Sequence, residues 1–319
     1  MVRCPRVILA VAALAAATAA AQQYPSRPVR FVVPFPPGGT ADYVARMVAP
    51  GLTQSLGQQV LVDNRPGGDG AVAGQIVTKS APDGHTIFFG TNSPMSAVPA
   101  LHRKPPYDSL ADFTPVGLIG RFTFFLFVPA SLPAKTLKEL IDYAKANPGK
   151  LNYGTGNTTA IVASAQFKSL AGIDVQHIPY KGDAPTTADM LGGTVHMAFM
   201  TLVPGFAQVK EGRLRVLAVL LPKRSAVAPD VPTIAEAGMP GVSLTPWAGL
   251  FGPAKLPPRI VERLSHDLSA VLSRADIREQ LGRQGFEVQS STAAEMDRYN
   301  REQLAAWKRV ILEAKIPME

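Results

Sequence analysis

The sequence predicts an α/β protein of two domains, each built on a mainly parallel sheet covered by helices. Short apolar, β-branched segments alternate with segments of helical periodicity, which is typical of parallel strands joined by crossover helices. The strand segments are almost continuously apolar, as strands buried on both faces are. The alternation runs through two successive sets, and 319 residues are enough for two ordinary domains.

Residues 1–21 have the pattern of a secretory signal peptide. MVRCPR is basic, VILAVAALAAATAA is apolar, and small residues surround the expected cleavage site after Ala21. The apolar run is too short and too rich in alanine to favour the alternative, a permanent membrane anchor. Cys4 precedes the apolar run, which is the wrong place for lipid attachment. After cleavage the exported chain would contain no cysteine, and therefore no disulfide. We therefore expect a soluble protein in a bacterial periplasm.

The first set of units makes up the first part of domain 1, residues 22–123. Its predicted strands are Val29–Val33, Gln59–Val62, Thr86–Phe89 and Val116–Ile119. Its predicted helices are Ala41–Leu56, Ala71–Ser80 and Pro94–Leu101. Pro50 falls inside the first helix, where it removes a backbone hydrogen bond, so we expect a kink or break near Ala49.

The second set makes up domain 2, residues 124–248. Its predicted strands are Phe124–Val128, Leu151–Gly154, Val175–Tyr180, Val195–Met200 and Leu214–Leu220. Its predicted helices are Leu137–Ala146, Thr159–Leu170, Thr186–Leu191 and Pro204–Glu211. Thr136 and Glu139 form a capping box at the start of the first of these helices.

Residues 249–319 return the chain to domain 1 and are mostly helical. The helices are Pro258–Ser273, Asp276–Gln284 and a last one opened by the pair Thr292 and Glu295. Both passages between the domains, 121–128 and 242–251, have strand-like sequences. Two domains joined in this way can hinge as rigid bodies.

The stretch VVPFPPGGTADY, residues 32–43, connects the first strand to the first helix. Thr40 is a candidate cap for that helix, and Asp42 falls in its first turn. The glycines allow a ligand to approach the backbone, and the prolines stiffen the loop. Because helix N-termini carry unpaired N–H groups, they bind anions. Taken alone, the stretch fits a plain turn equally well.

A second loop, NYGTGNTT at residues 152–159, holds the equivalent position in domain 2. It also follows an apolar strand, contains glycine and ends in threonines that are predicted to cap the helix that follows. Two such loops would face each other across a cleft. Together they would hold a carboxylate with main-chain amides and hydroxyls, without an arginine.

Several classes of function are disfavoured. The net charge of +8 comes from scattered basic residues, and no nucleic-acid motif is present. The five histidines lack metal-ligand spacing, and neither a nucleophile elbow nor a His-Glu-x-x-His motif occurs. GDGAVAG at 68–74 is similar to a dinucleotide fingerprint, but the strand that follows ends in Gly90-Thr91 rather than an acidic residue. We expect a turn there, and no cofactor, metal or catalytic residue in the protein.

Several motifs in order identify a family. YPSRP (24–28) precedes the first loop, and VDNRPGG (62–68), APDGHT (81–86), IPYKG (178–182) and PDVPTIAEAG (229–238) follow. The exported part of the chain resembles, over essentially its whole length, the Bug family of periplasmic solute receptors of tripartite tricarboxylate transporters. The resemblance implies a two-domain periplasmic-binding-protein fold, type II-like, with a cleft between two doubly wound sheets.

In the family, loops that match Phe35–Thr40 and Gly154–Thr159 hold the ligand carboxylate, partly through ordered water. Loops that match Thr91–Ser93 and Tyr180–Ala184 also border the cleft. The loops and the resemblance together give the following candidate ligand-binding residues: Phe35, Pro37, Gly38, Gly39, Thr40, Asp42, Thr91, Asn92, Ser93, Gly156, Asn157, Thr158, Thr159, Tyr180, Lys181, Ala184, Met200 and Thr201.

The chain departs from the family pattern at two places. Many members carry an acidic residue and then Asn where this chain has Met200-Thr201, and the loop Gly154–Thr159 is shorter than in many relatives. The neutral Met200 disfavours pairing with a ligand amine. We therefore favour a non-amino mono- or dicarboxylic acid or an aromatic acid as the solute.

The expected function is capture of this carboxylate and its delivery to the integral-membrane permease subunits of a tripartite transporter. The alternative is a periplasmic sensor that presents the solute to a two-component sensor kinase. An enzyme is a distant third. We expect a monomer that has no nucleic-acid partner.

Overall fold

The computed structural model describes residues 24–240, 242 and 246–313. The predicted signal peptide lies outside these residues. Within them, no helix is both long enough and apolar enough to cross a lipid bilayer.

The strands and helices follow the predicted alternation. The strands are β1 (Val29–Val33), β2 (Val60–Asn64), β3 (Thr86–Thr91), β4 (Phe113–Phe122), β5 (Phe124–Pro129), β6 (Leu151–Thr155), β7 (Val175–Pro179), β8 (Met197–Thr201), β9 (Leu214–Val219), β10 (Trp247–Pro253) and β11 (Phe286–Val288). The helices are α1 (Thr40–Leu56), α2 (Ala71–Thr78), α3 (Val98–Leu101), α4 (Leu137–Ala146), α5 (Thr158–Ala171), α6 (Asp183–Leu191), α7 (Leu202–Lys210), α8 (Pro258–Ser273), α9 (Ala275–Gly282) and α10 (Ala293–Glu313). A 3₁₀ turn, Gly68–Gly70, precedes α2, and a π-helical turn, Ser93–Ala97, precedes α3.

Two sheets define two lobes. The first lobe contains a six-stranded sheet of order β11-β4-β10-β3-β1-β2, and the second contains a five-stranded sheet of order β7-β6-β8-β5-β9. The chain passes from the first lobe to the second between β4 and β5, at Thr123, and returns at β10, which starts at Trp247. The periplasmic-binding-protein architecture expected from the sequence is therefore present.

The strands are parallel only within each set of crossover units. β1 pairs in parallel with β2 and β3, and β6 pairs in parallel with β7 and β8. The strands that arrive from the other lobe are antiparallel to their neighbours, as β10 is to β3 and β4, and β5 is to β8 and β9. These strands are the antiparallel part of sheets that the sequence predicts to be mainly parallel, because no crossover helix sets their direction.

Aromatic side chains fill the interior of both lobes. In the first lobe, Phe88 and Phe251 pack around Phe113 beneath the fully buried Trp247. In the second, Phe167 packs edge-on against Phe199, with a ring separation of 5.8 Å. These buried rings make each sheet a rigid platform for the loops at its edge.

The helix α1 runs unbroken through Pro50, so the expected break is absent. Its next residue, Gly51, lies so close to α8 that an added Cβ would come within 2.7 Å of a Val271 methyl group. Close helix packing at this glycine stabilises the helical conformation despite the missing hydrogen bond. The capping box of α4 is confirmed, since the backbone N–H of Glu139 donates to Thr136 Oγ1 at 3.1 Å.

Candidate functional site between the two lobes

A cavity of about 50 Å³ lies between the lobes, and we call it the central cavity. Its volume accommodates roughly four water-sized groups. From the first lobe it is lined by Phe35, Gly39, Thr40, Ala41, Thr91, Asn92, Ser93, Phe122 and Pro246. From the second lobe it is lined by Phe124, Asn157, Thr159, Asp183 and Thr201.

The glycine–proline loop of the first lobe is held in shape by Asp42. This carboxylate accepts hydrogen bonds from the backbone N–H of Gly38 at 3.1 Å and from Arg46 Nε at 2.9 Å. Burial alone would raise the pKa of Asp42, but the hydrogen bonds from Arg46 and Gly38 outweigh it and the pKa is lowered. Gly38 has a φ of 86°, which a residue with a side chain rarely adopts. The loop therefore brings the N-terminus of α1 to the cavity in one fixed conformation.

Thr40 does not cap α1 as the sequence suggested. The residue at the N-cap is Gly39, and no side chain caps the helix. Thr40 is instead the first helical residue, and its hydroxyl is buried without a hydrogen-bond partner among the described residues. The hydroxyl of Thr91, at the end of β3, is likewise buried without a hydrogen-bond partner among the described residues. Both residues line the central cavity, so two hydroxyls are left for a ligand.

The second loop brings the N-terminus of α5 to the same cavity. Here the cap is Asn157, whose side-chain oxygen accepts from the backbone N–H of Ala160 at 3.0 Å. The sequence had assigned capping to the threonines that follow. Because Asn157 takes that role, the hydroxyls of Thr158 and Thr159 do not cap the helix. The first N–H groups of α1 and α5 have no partner within their helices, and both helix dipoles favour negative charge at this point.

Asn92 connects the two lobes across the cavity. Its side-chain amide donates to Thr159 Oγ1 in the second lobe, and its side-chain oxygen accepts from the backbone N–H of Trp247 at 3.3 Å. The lobes also touch at the loops, where a Cβ added to Gly182 would lie 2.9 Å from Pro36 Cδ. The structure is therefore a closed form of the cleft.

Asp183 is a buried carboxyl group in the wall of the central cavity. Its Oδ2 accepts from Thr201 Oγ1 at 2.6 Å and from the backbone N–H of Thr201 at 3.0 Å. Its Oδ1 accepts from the side-chain amide of Asn157 at 3.2 Å. Burial raises the pKa of Asp183 above its ordinary value, and the hydrogen bonds from Thr201 and Asn157 only partly oppose this.

A second space, the outer pocket, adjoins the central cavity and has a volume of about 300 Å³. Phe35 and Asn157 line both spaces. The outer pocket is also bordered by Gly67–Ala71, His102 and Lys181. It is another space between the lobes, and it is larger than the central cavity.

The structure brings most of the predicted site residues together. Those that line the central cavity are Phe35, Gly39, Thr40, Thr91, Asn92, Ser93, Asn157, Thr159 and Thr201. Those that line the outer pocket are Phe35, Gly156, Asn157, Thr158, Tyr180 and Lys181. Five predicted residues line neither space: Pro37, Gly38, Asp42, Ala184 and Met200.

Met200 differs most from its expected position. Its side chain is fully buried in the core of the second lobe with Phe125 and Phe127. Neighbouring residues of a strand point to opposite faces of the sheet, so Thr201 contributes to the cavity and Met200 does not. The inference from Met200 to a non-amino solute therefore loses its structural basis.

Five cavity residues were not among the sequence candidates: Ala41, Phe122, Phe124, Pro246 and Asp183. Phe122 and Phe124 flank the first passage between the lobes, and Pro246 precedes the second. Asp183 was missed because the predicted helix began at Thr186, three residues after the observed start. An acidic residue after Gly182 in a loop that borders the cleft was the available signal.

The turn Gly68–Gly70 is tightly packed, as expected. A Cβ added to Gly70 would lie 2.9 Å from Pro34 Cβ. Among the described residues, no three His, Cys, Asp or Glu side chains are grouped so that they could hold a metal ion.

Comparison with known proteins agrees with this architecture. The family model described as the tripartite tricarboxylate transporter family receptor matches residues 44–316. Protein BugT of Bordetella pertussis is 32% identical over 310 residues, which cover 96% of this chain and 95% of BugT.

Two solved structures are similar along nearly the whole chain. R. palustris Rpa4515, solved with adipate, superposes with a TM-score of 0.88 at 34% identity and covers 92% of this chain and 99% of its own. MatC from Rhodopseudomonas palustris, solved with bound malate, superposes with a TM-score of 0.84 at 30% identity and covers 90% of this chain and 100% of its own.

Proposed function

This chain belongs to the tripartite tricarboxylate transporter receptor family of solute-binding proteins, and from that premise we propose that it captures a small carboxylate between its lobes. The members of this family and the solved neighbours are periplasmic binding proteins rather than enzymes. What is proposed for this chain is the class of its solute, the residues that hold the solute and the partner that receives it.

The observation that carries the proposal is the pair of helix N-termini at the central cavity. Residues at the start of α1 and at the start of α5 line this space from opposite lobes, and the hydroxyls of Thr40 and Thr91 are buried there without a partner among the described residues. Each hydrogen bond to a charged group contributes roughly 1.5–3 kcal/mol. About four such bonds, less the cost of ordering, are consistent with a Kd on the order of micromolar.

A non-amino mono- or dicarboxylic acid or an aromatic acid remains the favoured solute. The two related structures contain adipate and malate, which are dicarboxylates without an amino group. We place one carboxylate of the solute in the central cavity. The remainder of the solute would extend toward the outer pocket, between Phe35 and Asn157, which line both spaces. Lys181, at the border of the outer pocket, is a candidate contact for a second carboxylate.

We further propose that the chain is exported through its N-terminal signal peptide and delivers the solute to membrane permease subunits. Closure joins the surfaces of the two lobes, so a partner that recognises the closed form detects bound solute. A sensor kinase that recognises the same form is the alternative.

The first experiment is mass spectrometry of the solute released from protein purified without refolding. Calorimetry then measures binding of adipate, malate, succinate and benzoate, with glutamate as an amino acid for comparison. We expect an acid without an amino group to bind most tightly. If glutamate binds most tightly instead, the proposed class of solute is contradicted. A pull-down with permease subunits and with a sensor-kinase ectodomain, each with and without solute, distinguishes the two partners.

A further inference from the structure

Asp183 is the one ionisable side chain among the described residues that line the central cavity. Its hydrogen bonds come from Thr201 and Asn157, which are neutral donors. A carboxylate beside the space proposed for the solute carboxylate needs an explanation, because two like charges in a small, buried space repel each other.

Among the residues that the structure describes, the charged groups near Asp183 do not supply a balancing cation. On α1, Asp42 is paired with Arg46 at 2.9 Å. On α6 itself, Asp189 accepts a hydrogen bond at 2.6 Å from the hydroxyl of Tyr180. At the end of β6, the hydroxyl of Thr155 contacts His177 Nε2 at 2.7 Å. Lys181, two residues before Asp183, is exposed.

The volume of the central cavity brings the two carboxyl groups close together. A cavity of about 50 Å³ has room for a carboxylate and little more. A carboxylate bound there therefore lies within a few ångströms of the Asp183 side chain. Two carboxyl groups at such a distance share one proton rather than both ionise. Oδ2 accepts two hydrogen bonds, from Thr201, and Oδ1 accepts one, from Asn157, so Oδ1 keeps a lone pair that can carry the proton.

We propose, on the basis of the carboxylate-binding function proposed above, that Asp183 recognises the solute carboxylate through a shared proton, so that binding takes up one proton from solution. The proton comes from water or buffer when the cleft closes over the anion, and it returns to solution when the cleft opens. No other bond is formed or broken.

The direction of the pH dependence follows from this coupling. The pKa of the Asp183 carboxyl is higher in the closed, occupied cleft than in the open one, where water solvates the charge. Affinity is therefore greatest below the pKa of the open form and falls as pH rises toward the pKa of the bound form, by up to tenfold per pH unit. Above about pH 6.5 a dicarboxylate is fully ionised, so a change of affinity there belongs to the protein.

The test is calorimetry at about pH 7 in buffers of different ionisation enthalpy, with adipate and malate as probes. If another acid of the panel binds more tightly, that acid is used as well. The wild-type protein is expected to take up about one proton per solute. Asp183→Asn offers an amide donor that needs no proton, so it is expected to bind with no uptake and with affinity independent of pH between about 6.5 and 8.5.

Asp142→Asn is the matched control. Asp142 is exposed on α4 of the same lobe and paired with Lys138, so this variant is expected to keep the wild-type proton uptake. If the wild-type protein binds the solute without taking up a proton, the inference is overturned and the proposed function is left intact. Proton uptake that persists in Asp183→Asn has the same consequence. The wild-type measurement decides the question even if Asp183→Asn does not fold. If no carboxylate binds, the proposed function fails and this inference fails with it.

Discussion

At the scale of single residues, the hydroxyls of Thr40 and Thr91 in the central cavity are candidate contacts for the solute. Thr40 is 3% exposed, and its hydroxyl lacks a hydrogen-bond partner among the described residues. Leaving a buried polar group unsatisfied costs about 1–3 kcal/mol. A bound carboxylate would remove this cost, so the same atom destabilises the closed protein without solute and stabilises the complex.

Thr40→Val should therefore separate stability from binding. Valine has nearly the same shape and carries no hydroxyl, so we expect the melting temperature to stay the same or rise by a few degrees. Affinity for the solute should fall about tenfold or more, because a hydrogen bond to a charged group is lost. Thr194→Val, at an exposed turn before β8, is the control and should change neither quantity. Unchanged affinity in Thr40→Val would mean that this hydroxyl does not touch the solute.

Individual residues show where sequence reasoning succeeded and where it could not. The loop residues Gly39 and Asn157 were identified because glycine and capping residues before a helix have a local physical meaning. Met200 and Thr201 were both proposed, but only one of two adjacent strand residues can face the cleft, and the sequence does not determine which. Asp183 depended on the start of a short helix, and helix ends are the least certain part of such a prediction.

At the scale of elements, the loop before α1 is positioned by a residue that does not line the cavity. Asp42 accepts the backbone N–H of Gly38 and fixes the approach to the helix N-terminus. Arg46 adds a partly exposed ion pair, which contributes less than about 1 kcal/mol. The carboxylate therefore acts mainly through the shape of the loop.

Asp42→Ala should weaken binding by about three- to tenfold without removing a solute contact, because the loop loses one hydrogen bond that orders it. Calorimetry on this variant, with Asp42→Asn as a partial replacement that retains an acceptor oxygen, measures the effect. We expect Asp42→Asn to fall between Asp42→Ala and the wild type. Equal affinity in all three proteins would show that the loop keeps its shape without the carboxylate.

The pKa of Asp42 also predicts a dependence of stability on acid. Because this pKa is lowered in the folded protein, the carboxylate stabilises the fold above its unfolded value of about 4. That contribution is lost as pH falls toward the lower, folded value. In Asp42→Ala the melting temperature should therefore fall less steeply with acid than in the wild type, as a series of melting curves from about pH 6 to about pH 3 will show. An equally steep fall in the variant would count against this role.

The order of the elements was largely predictable, and their directions in the sheets were not. Alternating apolar and helical segments identified the strands β1–β3 and β6–β8 with their helices. The antiparallel strands β5 and β10 enter their sheets from the opposite lobe, and that pairing depends on long-range contacts. The short strand β11 was missed because three residues carry too little pattern to recognise.

At the scale of the whole molecule, closure buries an apolar cluster shared by the two lobes. Val162 on α5 packs with Ala97 and Ala100 of the first lobe and with Leu304, Trp307 and Ile311 on α10. In the closed form Val162 is 1% exposed. Opening the cleft would separate it from these partners and expose it to water.

Val162→Asp should therefore block closure more than folding. Burying an unpaired charge costs several kcal/mol, so we expect at least a hundredfold loss of affinity and no decrease in the radius of gyration on addition of solute. X-ray scattering and calorimetry measure the two effects. Leu170→Asp lies on the same helix at a residue that is 57% exposed, and it should behave like the wild type. Normal affinity in Val162→Asp would show that the cluster does not form on binding.

The proposed function depends on two helix N-termini from opposite lobes that hold a negatively charged carboxylate. The most direct measurement is calorimetric comparison of the tightest-binding acid of the panel with its amide, which has the same shape and no charge. We predict a Kd on the order of micromolar for the acid and at least about a hundredfold weaker binding of the amide. Equal affinity for acid and amide, or the absence of binding by any carboxylate, would contradict the claim.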